Sequence, residues 1–553
     1  MSTSSPGSPA TPAAMPGFVP FAAHRAARYR AAGYWVGQRV DSLLRRAAAT
    51  WPERVAVTGA GGTHTYGELD RLVDRVAGGL NALGIAPGDR ILVQLPNSAG
   101  FAVGLFALLR AGAVPVLCLP GHRDAELSHF AERSGAVGAL IAEDIGGYDP
   151  RPTAAKLQDG HPRLRHVVVD GAAGRFRSLA DLPAGALPAL SGRTEEPALL
   201  LASGGTTGLP KLIPRTHDDY VYNATASAAL CGLTAEDVYL VALPAAHNFP
   251  LACPGLLGAT AVGATTVFAA DPSPEAAFDV IARHRVTVTA LVPALANLWA
   301  QACAWEPVPP ASLRLLQVGG AKLGAEDARR IRAALTPGLQ QVFGMAEGLL
   351  NFTRPDDPAE VVEHTQGRPL CADDEVRVVD EAGTEVGPDQ DGELLVRGPY
   401  TLNGYFADDA ANALSFTADG FFRTGDRVRR RSDGNLEVTG RVKDVILRGG
   451  ESVPALAVEE QLLAHPAIQA AAVVGLPDPH LGEKICAAVI AAGAPPNLAE
   501  LNGYLVDRGS ATHVRLDALV ALPHLPMTAV GKVDKKTLVR QLTAPDAPNP
   551  AID

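Results

Sequence analysis

The spacing of apolar residues along the chain predicts alternating helices and strands. Helical spacing over 66–83 is followed by a short apolar run at 90–95, and the alternation continues to residue 134. Residues 145–197 are richer in Pro, Gly and charge, which indicates a surface connection with short strands. A second alternating series runs from 218 to 343 and includes predicted strands at 265–268 and 288–291 with a helix at 274–284 between them. Alternation of this kind is typical of parallel sheets covered by helices. We therefore expect an α/β fold.

The pattern changes after residue 375. Short alternating strands with Gly-rich turns over 375–437 predict a small distorted β-barrel or β layer, and the glycine- and charge-rich stretch 440–450 indicates a linker. Beyond it, helix-like and strand-like segments alternate again, which predicts a compact α+β module. The predicted organisation is a disordered tail over 1–15, a large domain over 16–442 and a small domain over 443–553.

Composition narrows the class of protein. A chain of 553 residues exceeds what one core usually serves, so two or more domains are expected. The net charge of -11 and the lack of a dominant basic block argue against nucleic-acid binding. The six cysteines are scattered without metal-ligand spacing, and no membrane span or secretion signal is visible. We expect a cytoplasmic protein without a structural metal.

One segment has the composition of a polyphosphate-binding loop. An apolar run over 198–202 predicts a buried strand, and the residues after it are Ser203, Gly204, Gly205, Thr206, Thr207, Gly208 and, after Leu209-Pro210, Lys211. Glycines let backbone N–H groups turn toward an anion, hydroxyls add donors and lysine adds charge. The spacing differs from a Walker A loop. Taken alone, the segment also fits an ordinary solvated turn.

Further polar motifs follow predicted strands. They are His247-Asn248-Phe249-Pro250, Gly319-Gly320-Ala321-Lys322, the stretch from Gln341 to Gly348 with Glu347, Thr424-Gly425-Asp426, Gly440-Arg441 and Gly531-Lys532. Open α/β sheets bind ligands at the carboxyl ends of their strands. A carboxylate such as Glu347 can hold Mg²⁺ beside phosphates, and Asp426 can accept from ribose hydroxyls. Each motif alone is equally consistent with a turn, a helix cap or a solvated surface.

In this order and spacing, the motifs resemble those of the adenylate-forming superfamily, which includes acyl-CoA synthetases, nonribosomal-peptide adenylation domains and firefly luciferase. The resemblance extends from about Phe18 to Leu542. Segments 211–220, 246–250 and 340–348 are similar to those of the stand-alone aryl-acid ligases of siderophore synthesis. The resemblance to this superfamily implies a large N-terminal domain of two α/β subdomains with parallel-rich sheets plus a small distorted β-barrel. A small, mobile α+β C-terminal domain would follow.

The resemblance implies a reaction and the residues that perform it. The aryl acid would react with ATP and Mg²⁺ to give an acyl-adenylate and pyrophosphate, and the acyl group would pass to the phosphopantetheine thiol of a separate aryl carrier protein. Lys532 would be the catalytic lysine and Glu347 the Mg²⁺ ligand. Residues 203–208 and Lys211 would bind phosphates and Asp426 and Arg441 the ribose, while the base and aryl group would lie against Gly320, Ala321, Lys322, Val342, Phe343 and Gly344.

By the same resemblance, the acid would lie among His247, Asn248, Phe249, Cys253, Gly320, Val342, Ala346 and Leu350. Cys253 stands where the 2,3-dihydroxybenzoate ligases have a serine. A thiol is a weak hydrogen-bonding partner for a 3-hydroxyl, and an unpaired buried polar group costs about 1–3 kcal/mol. We therefore expect salicylate, with 2,3-dihydroxybenzoate as the alternative. Cys253 could equally be a core thiol.

The resemblance also implies that one site serves two half-reactions. Lys443 matches a hinge position, about which the C-terminal domain would rotate to withdraw Lys532 and bring Gly449 and Gly450 to the thiol. Two other functions stay open from the sequence: an aryl-CoA ligase that uses free CoA, and an inactive adenylate-binding protein. The retained Lys532, Glu347 and Asp426 weigh against the inactive form. Lys535 and Lys536 are expected to be surface charges.

Overall fold

The computed structural model describes residues 15–190, 192–203, 210–306, 310–442, 444–448, 451–508, 514–528 and 531–544. Within these ranges the strands form sheets of seven, nine, four and five strands. The predicted tail therefore lies outside the described residues apart from Met15.

The first part of the chain supplies all seven strands of the seven-stranded sheet. Its elements are α1 (Ala23–Ala31), α2 (Ser42–Thr50), β1 (Val55–Gly59), β2 (Gly62–Thr65), α3 (Tyr66–Ala82), β3 (Arg90–Gln94), α4 (Ala99–Arg110), β4 (Val114–Leu117), α5 (Asp124–Ser134), β5 (Gly138–Ala142), α6 (Arg151–Gly160), β6 (His166–Asp170), β7 (Arg177–Ser178), β8 (Pro197–Ala202) and β9 (Leu212–Thr216). The strand order is β7-β6-β5-β3-β4-β8-β9, parallel except for the β8–β9 hairpin.

The middle of the chain supplies the rest of the large region. Its elements are α7 (His217–Leu230), β10 (Val238–Val241), α8 (Asn248–Ala252), α9 (Gly255–Val262), β11 (Thr265–Phe268), α10 (Pro274–His284), β12 (Val288–Leu291), α11 (Pro293–Ala302), β13 (Leu315–Gly319), α12 (Ala325–Ala334), β14 (Leu339–Met345), β15 (Gly348–Phe352), α13 (Ala359–His364), β16 (Arg368–Pro369), β17 (Glu375–Val379), β18 (Asp391–Arg397), α14 (Asp409–Ser415), β19 (Phe422–Arg430) and β20 (Leu436–Arg441).

The nine-stranded sheet has the order β16-β15-β14-β13-β12-β10-β11-β1-β2. Its inner pairs are parallel, and antiparallel strands close both edges. Strands β17–β20 form the four-stranded antiparallel layer predicted from the Gly-rich turns. The observed architecture confirms the predicted α/β fold class with parallel-rich sheets.

The last part of the chain builds a sheet of its own. Its elements are β21 (Val445–Arg448), β22 (Glu451–Pro454), α15 (Ala455–Leu463), β23 (Ile468–Asp478), β24 (Gly482–Ala491), α16 (Leu498–Asp507), β25 (Ala518–Ala521) and α17 (Lys535–Thr543). Two hydrophobic clusters, which contain only residues from Ile446 onward, pack against the faces of this sheet. We call this region the C-terminal lobe and the preceding residues the N-terminal lobe.

Local sequence explains why the elements begin where they do. Thr65 and Glu68 form a reciprocal capping box at α3, and Ser98 accepts from the N–H of Phe101 at α4. These caps satisfy backbone donors that a helix start leaves free. Strands β4, β5 and β12 are buried at every position, as expected for parallel strands covered on both faces.

Three sequence interpretations were wrong or incomplete. The stretch 440–450 is not a plain linker, because β20 extends to Arg441 and β21 begins at Val445. The region 145–197 contains short strands, β6 and β7, as predicted, but also helix α6, which the sequence pattern missed. Lys535 is not a surface charge, since its ammonium lies 2.8 Å from Oε1 of Glu459. The glycine-rich composition of 440–450 hid the end of β20 and the apolar pattern of β21. The run of lysines near the C-terminus gave no sign that Lys535 pairs with Glu459. Lys536 is exposed, as predicted.

Candidate active site

The candidate site lies where adjacent parallel strands of the nine-stranded sheet end. Gly319, the last residue of β13, is in register with Val342 of β14. Gly320 follows with a φ of 89°, which favours glycine. A Cβ at Gly320 would lie 3.4 Å from Cγ1 of Val292 and 3.6 Å from Cε of Lys532. The absence of a side chain at this position lets the lysine of the C-terminal lobe approach the sheet edge closely.

A cleft forms around that approach. Its lining comprises Leu243, Pro244, His247, Phe249, Val292, Gly320 and Lys532. Of the predicted site residues, the structure thus brings together His247, Phe249, Gly320 and Lys532. They come from the start of α8 and the end of β13 in the N-terminal lobe and from the C-terminal lobe, so the cleft is complete only when both lobes are present.

A tight turn presents Lys532. Its N–H donates to the Thr528 hydroxyl at 3.1 Å and its carbonyl accepts from the Thr528 N–H at 2.6 Å. Met527 and Val533 form a β-bridge across the same turn. Helix α17 begins three residues later, with Asp534 as its cap. The backbone of Lys532 is therefore anchored on both sides, while the side chain projects away from the lobe.

The electrostatic environment of Lys532 is mixed. The residue keeps an exposed surface, yet burial of its ammonium and the Arg441 guanidinium lower its pKa, while Asp426 and Glu347 oppose the shift. Burial and the charge of Lys532 lower the pKa of His247 to about 4, so this imidazole is neutral near pH 7. A cation beside neutral and apolar walls is weakly solvated and can interact strongly with an incoming anion.

Glu347 follows β14 and lies in a polar group that connects several loops. Its Oε1 accepts from the Tyr405 hydroxyl at 3.0 Å, and the Lys211 ammonium lies 4.3 Å from the centre of the Tyr405 ring. Burial raises the pKa of Glu347, whereas Tyr405, Lys211 and Arg441 act to lower it. Tyr405 carried no signal in the sequence, because an isolated tyrosine in a Gly-Tyr-Phe run predicts only packing.

The candidate phosphate loop is closed at its base. The Ser203 hydroxyl accepts from the Lys211 N–H at 2.9 Å, and the Ser203 N–H donates to the Lys211 carbonyl at 2.9 Å. The loop therefore connects the antiparallel strands β8 and β9. The remaining predicted residues of the loop, Gly204, Gly205, Thr206, Thr207 and Gly208, lie outside the described residues, as do Lys443, Gly449 and Gly450.

Asp426 and Arg441 are neighbours on β19 and β20. The two residues are in register, and Nε of Arg441 donates to Oδ1 of Asp426 at 2.8 Å. Asp426 raises the pKa of Arg441. Arg441 thus occupies Oδ1 of the Asp426 carboxylate, and within the described residues no donor is paired with Oδ2. Two acceptor positions and a guanidinium at one strand edge suit a vicinal diol.

The walls of the candidate aryl pocket are hydrogen-bonded to one another. Oδ1 of Asn248 accepts from the Tyr220 hydroxyl at 2.9 Å, and its amide group donates to Sγ of Cys253 at 3.4 Å. The amide of Asn223 donates to the Ala252 carbonyl at 2.7 Å and lies 3.8 Å from the same sulfur. Burial raises the pKa of Cys253 to about 12, so this residue is a neutral thiol.

The other predicted pocket residues lie on or next to β14 and β15. Val342 and Leu350 are buried, whereas Phe343, Gly344 and Ala346 are half-buried. Gly344 is in register with Leu350, and the Leu350 N–H donates to the Tyr400 hydroxyl at 3.2 Å. The ring of Phe249 approaches Gly319, where a Cβ would lie 3.2 Å from ring carbons.

Arg215 organises these walls, a role that the sequence did not reveal. Its guanidinium is buried, pairs with Asp219 at 2.9 Å, and donates to the carbonyls of Ala346 at 3.1 Å and Tyr400 at 3.3 Å. It also reaches Oδ1 of Asn223 at 3.3 Å. The i, i+4 spacing of Arg215 and Asp219 was the available signal, but that spacing more often marks an exposed pair.

Two further predicted site residues, Ala321 and Lys322, lie just beyond the end of β13. Ala321 is exposed. The Lys322 ammonium points to carboxylates, 2.7 Å from Oε1 of Glu460 and 3.5 Å from Oε1 of Glu437. The predicted contact of these two residues with the base or aryl group stays a prediction.

The metal-ligating side chains of the described residues are dispersed. Within the described ranges no group of three or more His, Cys, Asp or Glu side chains could hold an ion. A hard cation bound at Glu347 would therefore take most of its ligands from phosphate oxygens and water, as Mg²⁺ does in nucleotide sites. In the same described part of the chain, no helix is long and apolar enough to span a bilayer.

Comparison with protein families matches two segments that together make up most of the chain. Residues 44–406 match the model described as AMP-binding enzyme, and residues 457–532 match the model of the AMP-binding enzyme C-terminal domain.

The alignments with individual relatives cover a larger share of the chain. The chain is 67% identical to the salicyl-AMP ligase / salicyl-S-ArCP synthetase of Mycobacterium tuberculosis over 95% of this chain and 94% of the relative. It is 47% identical to the 2,3-dihydroxybenzoate-AMP ligase of Bacillus subtilis, over 94% of this chain and 97% of the relative. The solved apo structure of Mycobacterium smegmatis MbtA has 65% identity and a TM-score of 0.75, covering 95% of this chain and 99% of that structure.

Proposed function

The chain belongs to the AMP-binding enzyme family, and from that premise we propose that it activates salicylate with ATP to give salicyl-AMP and pyrophosphate. The salicyl group then passes to the phosphopantetheine thiol of a separate aryl carrier protein in siderophore synthesis of the mycobactin type. The relative that is 67% identical carries a name for both steps, salicyl-AMP ligase and salicyl-S-ArCP synthetase.

The observation that carries this proposal is the position of Lys532. A lysine from the C-terminal lobe reaches the strand-end cleft of the N-terminal lobe, against Gly320 and beside His247. In adenylation an aryl carboxylate attacks the α-phosphate, and both reactants are anions. An ammonium between them stabilises the charge that builds up as they approach, which accelerates the step more than uniform binding would.

Each of the remaining polar groups would bind a different part of the nucleotide. Ser203 and Lys211 stand at the base of the loop that would hold the β- and γ-phosphates, and Asp426 with Arg441 would accept and donate to the ribose hydroxyls. The side chains of Ser203, Asp426 and Arg441 are fixed by the hydrogen bonds described above, and the Lys211 ammonium lies over the Tyr405 ring, so little reorganisation accompanies binding. Glu347 would hold Mg²⁺, which when bound would neutralise charge on the phosphates.

The choice of acid depends on the group around Cys253. Its sulfur is already the acceptor for the Asn248 amide, and the Asn248 oxygen accepts from Tyr220. A 3-hydroxyl directed at this wall would meet a weak partner, whereas salicylate has no such hydroxyl. This favours salicylate over 2,3-dihydroxybenzoate.

The test is salicylate-dependent exchange of pyrophosphate into ATP by the purified chain, run beside 2,3-dihydroxybenzoate and benzoate. We expect salicylate to give the largest kcat/KM. A larger kcat/KM for 2,3-dihydroxybenzoate would make that acid the substrate in place of salicylate, and the reaction class would stay the same. Offering a phosphopantetheinylated aryl carrier protein and free CoA in parallel identifies the thiol, and preferential labelling of CoA would contradict the carrier assignment.

A further inference from the structure

We propose that the Lys322–Glu460 ion pair is an interlobe latch that positions Lys532 for adenylation and that must open before thiol transfer. The inference rests on the proposed function, since it assigns a separate role in each half-reaction. Lys322 follows β13 in the N-terminal lobe, and Glu460 lies on α15 in the C-terminal lobe.

The geometry of the contact indicates a strong pair. The Lys322 ammonium lies 2.7 Å from Oε1 of Glu460, and the lysine side chain is only 11% exposed. That carboxylate oxygen is buried and, within the residues that the structure describes, accepts no hydrogen bond. The ammonium is the nearest opposite charge to that oxygen, whereas the Glu460 side chain as a whole is 38% exposed and keeps contact with solvent. The contact is therefore strong enough to favour one arrangement and weak enough to separate.

The N-terminal lobe holds the lysine from its own side. Glu437 on β20 lies 3.5 Å from the Lys322 ammonium, and α15 packs against β20. Lys322 therefore sits between a carboxylate of each lobe. The Glu437 contact stays within one lobe whatever the lobe orientation, whereas the Glu460 contact exists only when the lobes are arranged as observed.

A second ion pair continues from the latch toward the catalytic lysine. Glu459, adjacent to Glu460, lies 2.8 Å from the Lys535 ammonium and accepts from the Val473 N–H at 2.7 Å. Lys535 opens α17, three residues after Lys532. The two neighbouring glutamates of α15 thus connect the N-terminal lobe on one side with the base of the Lys532 turn on the other.

A contact that is present in one orientation alone shifts the balance between orientations by its own interaction free energy. The latch therefore favours the orientation in which Lys532 faces the cleft. Its loss should reduce adenylation and leave transfer from preformed salicyl-adenylate unchanged or faster. A residue with a merely structural role would lower both half-reactions together.

The experiment uses the full-length chain with Glu460→Gln, which keeps the shape of the side chain and removes its charge. We expect pyrophosphate exchange to fall about fivefold, the size of a typical coupling between contacting charges. Salicyl transfer from purified salicyl-adenylate to a phosphopantetheinylated aryl carrier protein should be at least as fast as in the wild type. Glu437→Gln is the matched control, and we expect its exchange rate to stay within about twofold of wild type because no interlobe contact is removed.

A double-mutant cycle completes the test. Lys322→Met alone should reduce exchange, and the Lys322→Met/Glu460→Gln double variant should be no slower than Lys322→Met. Additive losses, an unchanged exchange rate in Glu460→Gln, or equal losses in both half-reactions would each overturn the latch. Those results leave the proposed function intact, whereas a wild-type chain without exchange on any aryl acid would remove the proposed function itself.

Discussion

The walls of the candidate pocket and the turn that carries Lys532 are held in opposite ways. Arg215, Asp219, Asn223 and Cys253 are buried and hydrogen-bonded to one another, so no member can move alone. Lys532 keeps an exposed surface although its ammonium enters the cleft, and its lobe meets the N-terminal lobe through side-chain contacts such as Lys322–Glu460. Buried polar networks rigidify, whereas a surface of a few ionic contacts can separate.

This difference separates the two tasks that the protein is proposed to perform. A rigid pocket wall can discriminate between acids, because selectivity needs polar groups that do not adapt to the wrong substrate. A detachable lobe can supply a charge for one step and remove it for the next. Changes in the wall should therefore alter stability or substrate choice, and changes in the lobe should alter one half-reaction.

The largest effect is expected from Lys532→Ala. Removing the ammonium should lower pyrophosphate exchange roughly 10³-fold, in the range found when a group that stabilises the transition state is deleted. Binding of salicylate and ATP, measured by calorimetry, should persist because the N-terminal lobe holds both. Lys536→Ala, on the exposed side of α17, is the control. Exchange at the wild-type rate in Lys532→Ala would refute the assignment.

Arg215→Met tests the rigid wall. It leaves Asp219 buried without its counter-charge, and breaking such a pair costs about 3–5 kcal/mol of unfolding free energy. Chemical denaturation of the variant measures this loss. The Arg215→Met/Asp219→Asn double variant removes both charges, keeps a side-chain oxygen for the Thr216 donors at the start of α7, and should recover much of the stability. If Arg215→Met unfolds at the wild-type denaturant concentration, the wall does not depend on this pair.

Cys253→Ser should have the smallest effect. The new hydroxyl offers a partner for a 3-hydroxyl, but Asn248 and Asn223 already contact this position and compete for it. We expect the ratio of kcat/KM for 2,3-dihydroxybenzoate to that for salicylate to rise about fivefold, near the lower bound for pairing a buried polar group. Cys118→Ser, at a buried thiol outside the candidate pocket, is the control. An unchanged ratio would place Cys253 outside the specificity wall.

Much of the fold could be predicted because the parallel strands are continuous apolar runs. The strands at 265–268 and 288–291 and the helix at 274–284 occur at the predicted positions. Edge strands such as β2 and β16 were missed because they are short, exposed or half-buried and lack an apolar pattern. Family membership and reaction class could be predicted because they depend on motif order along the chain, which the family matches confirm.

Contacts between distant segments could not be predicted. The family resemblance implied that Lys322 lies near the base or aryl group, and that stays a prediction. Nothing in the sequence indicated the contacts of its ammonium with Glu437 and Glu460, which are more than a hundred residues away along the chain. Arg215 carried no role in the sequence because its carbonyl partners, at Ala346 and Tyr400, have no side-chain signature. The hydrogen bond from the Tyr405 hydroxyl to Glu347 likewise joins residues that are distant in the sequence, and no motif predicts it.

The central claim is that a single lysine, delivered by a separable lobe, serves adenylation and is absent from thiol transfer. The most direct measurement is single-turnover transfer of the salicyl group from purified salicyl-adenylate to a phosphopantetheinylated aryl carrier protein by Lys532→Ala. The account predicts a rate within about threefold of wild type, because the group removed takes no part in this step. A loss of transfer as large as the loss of pyrophosphate exchange would contradict it.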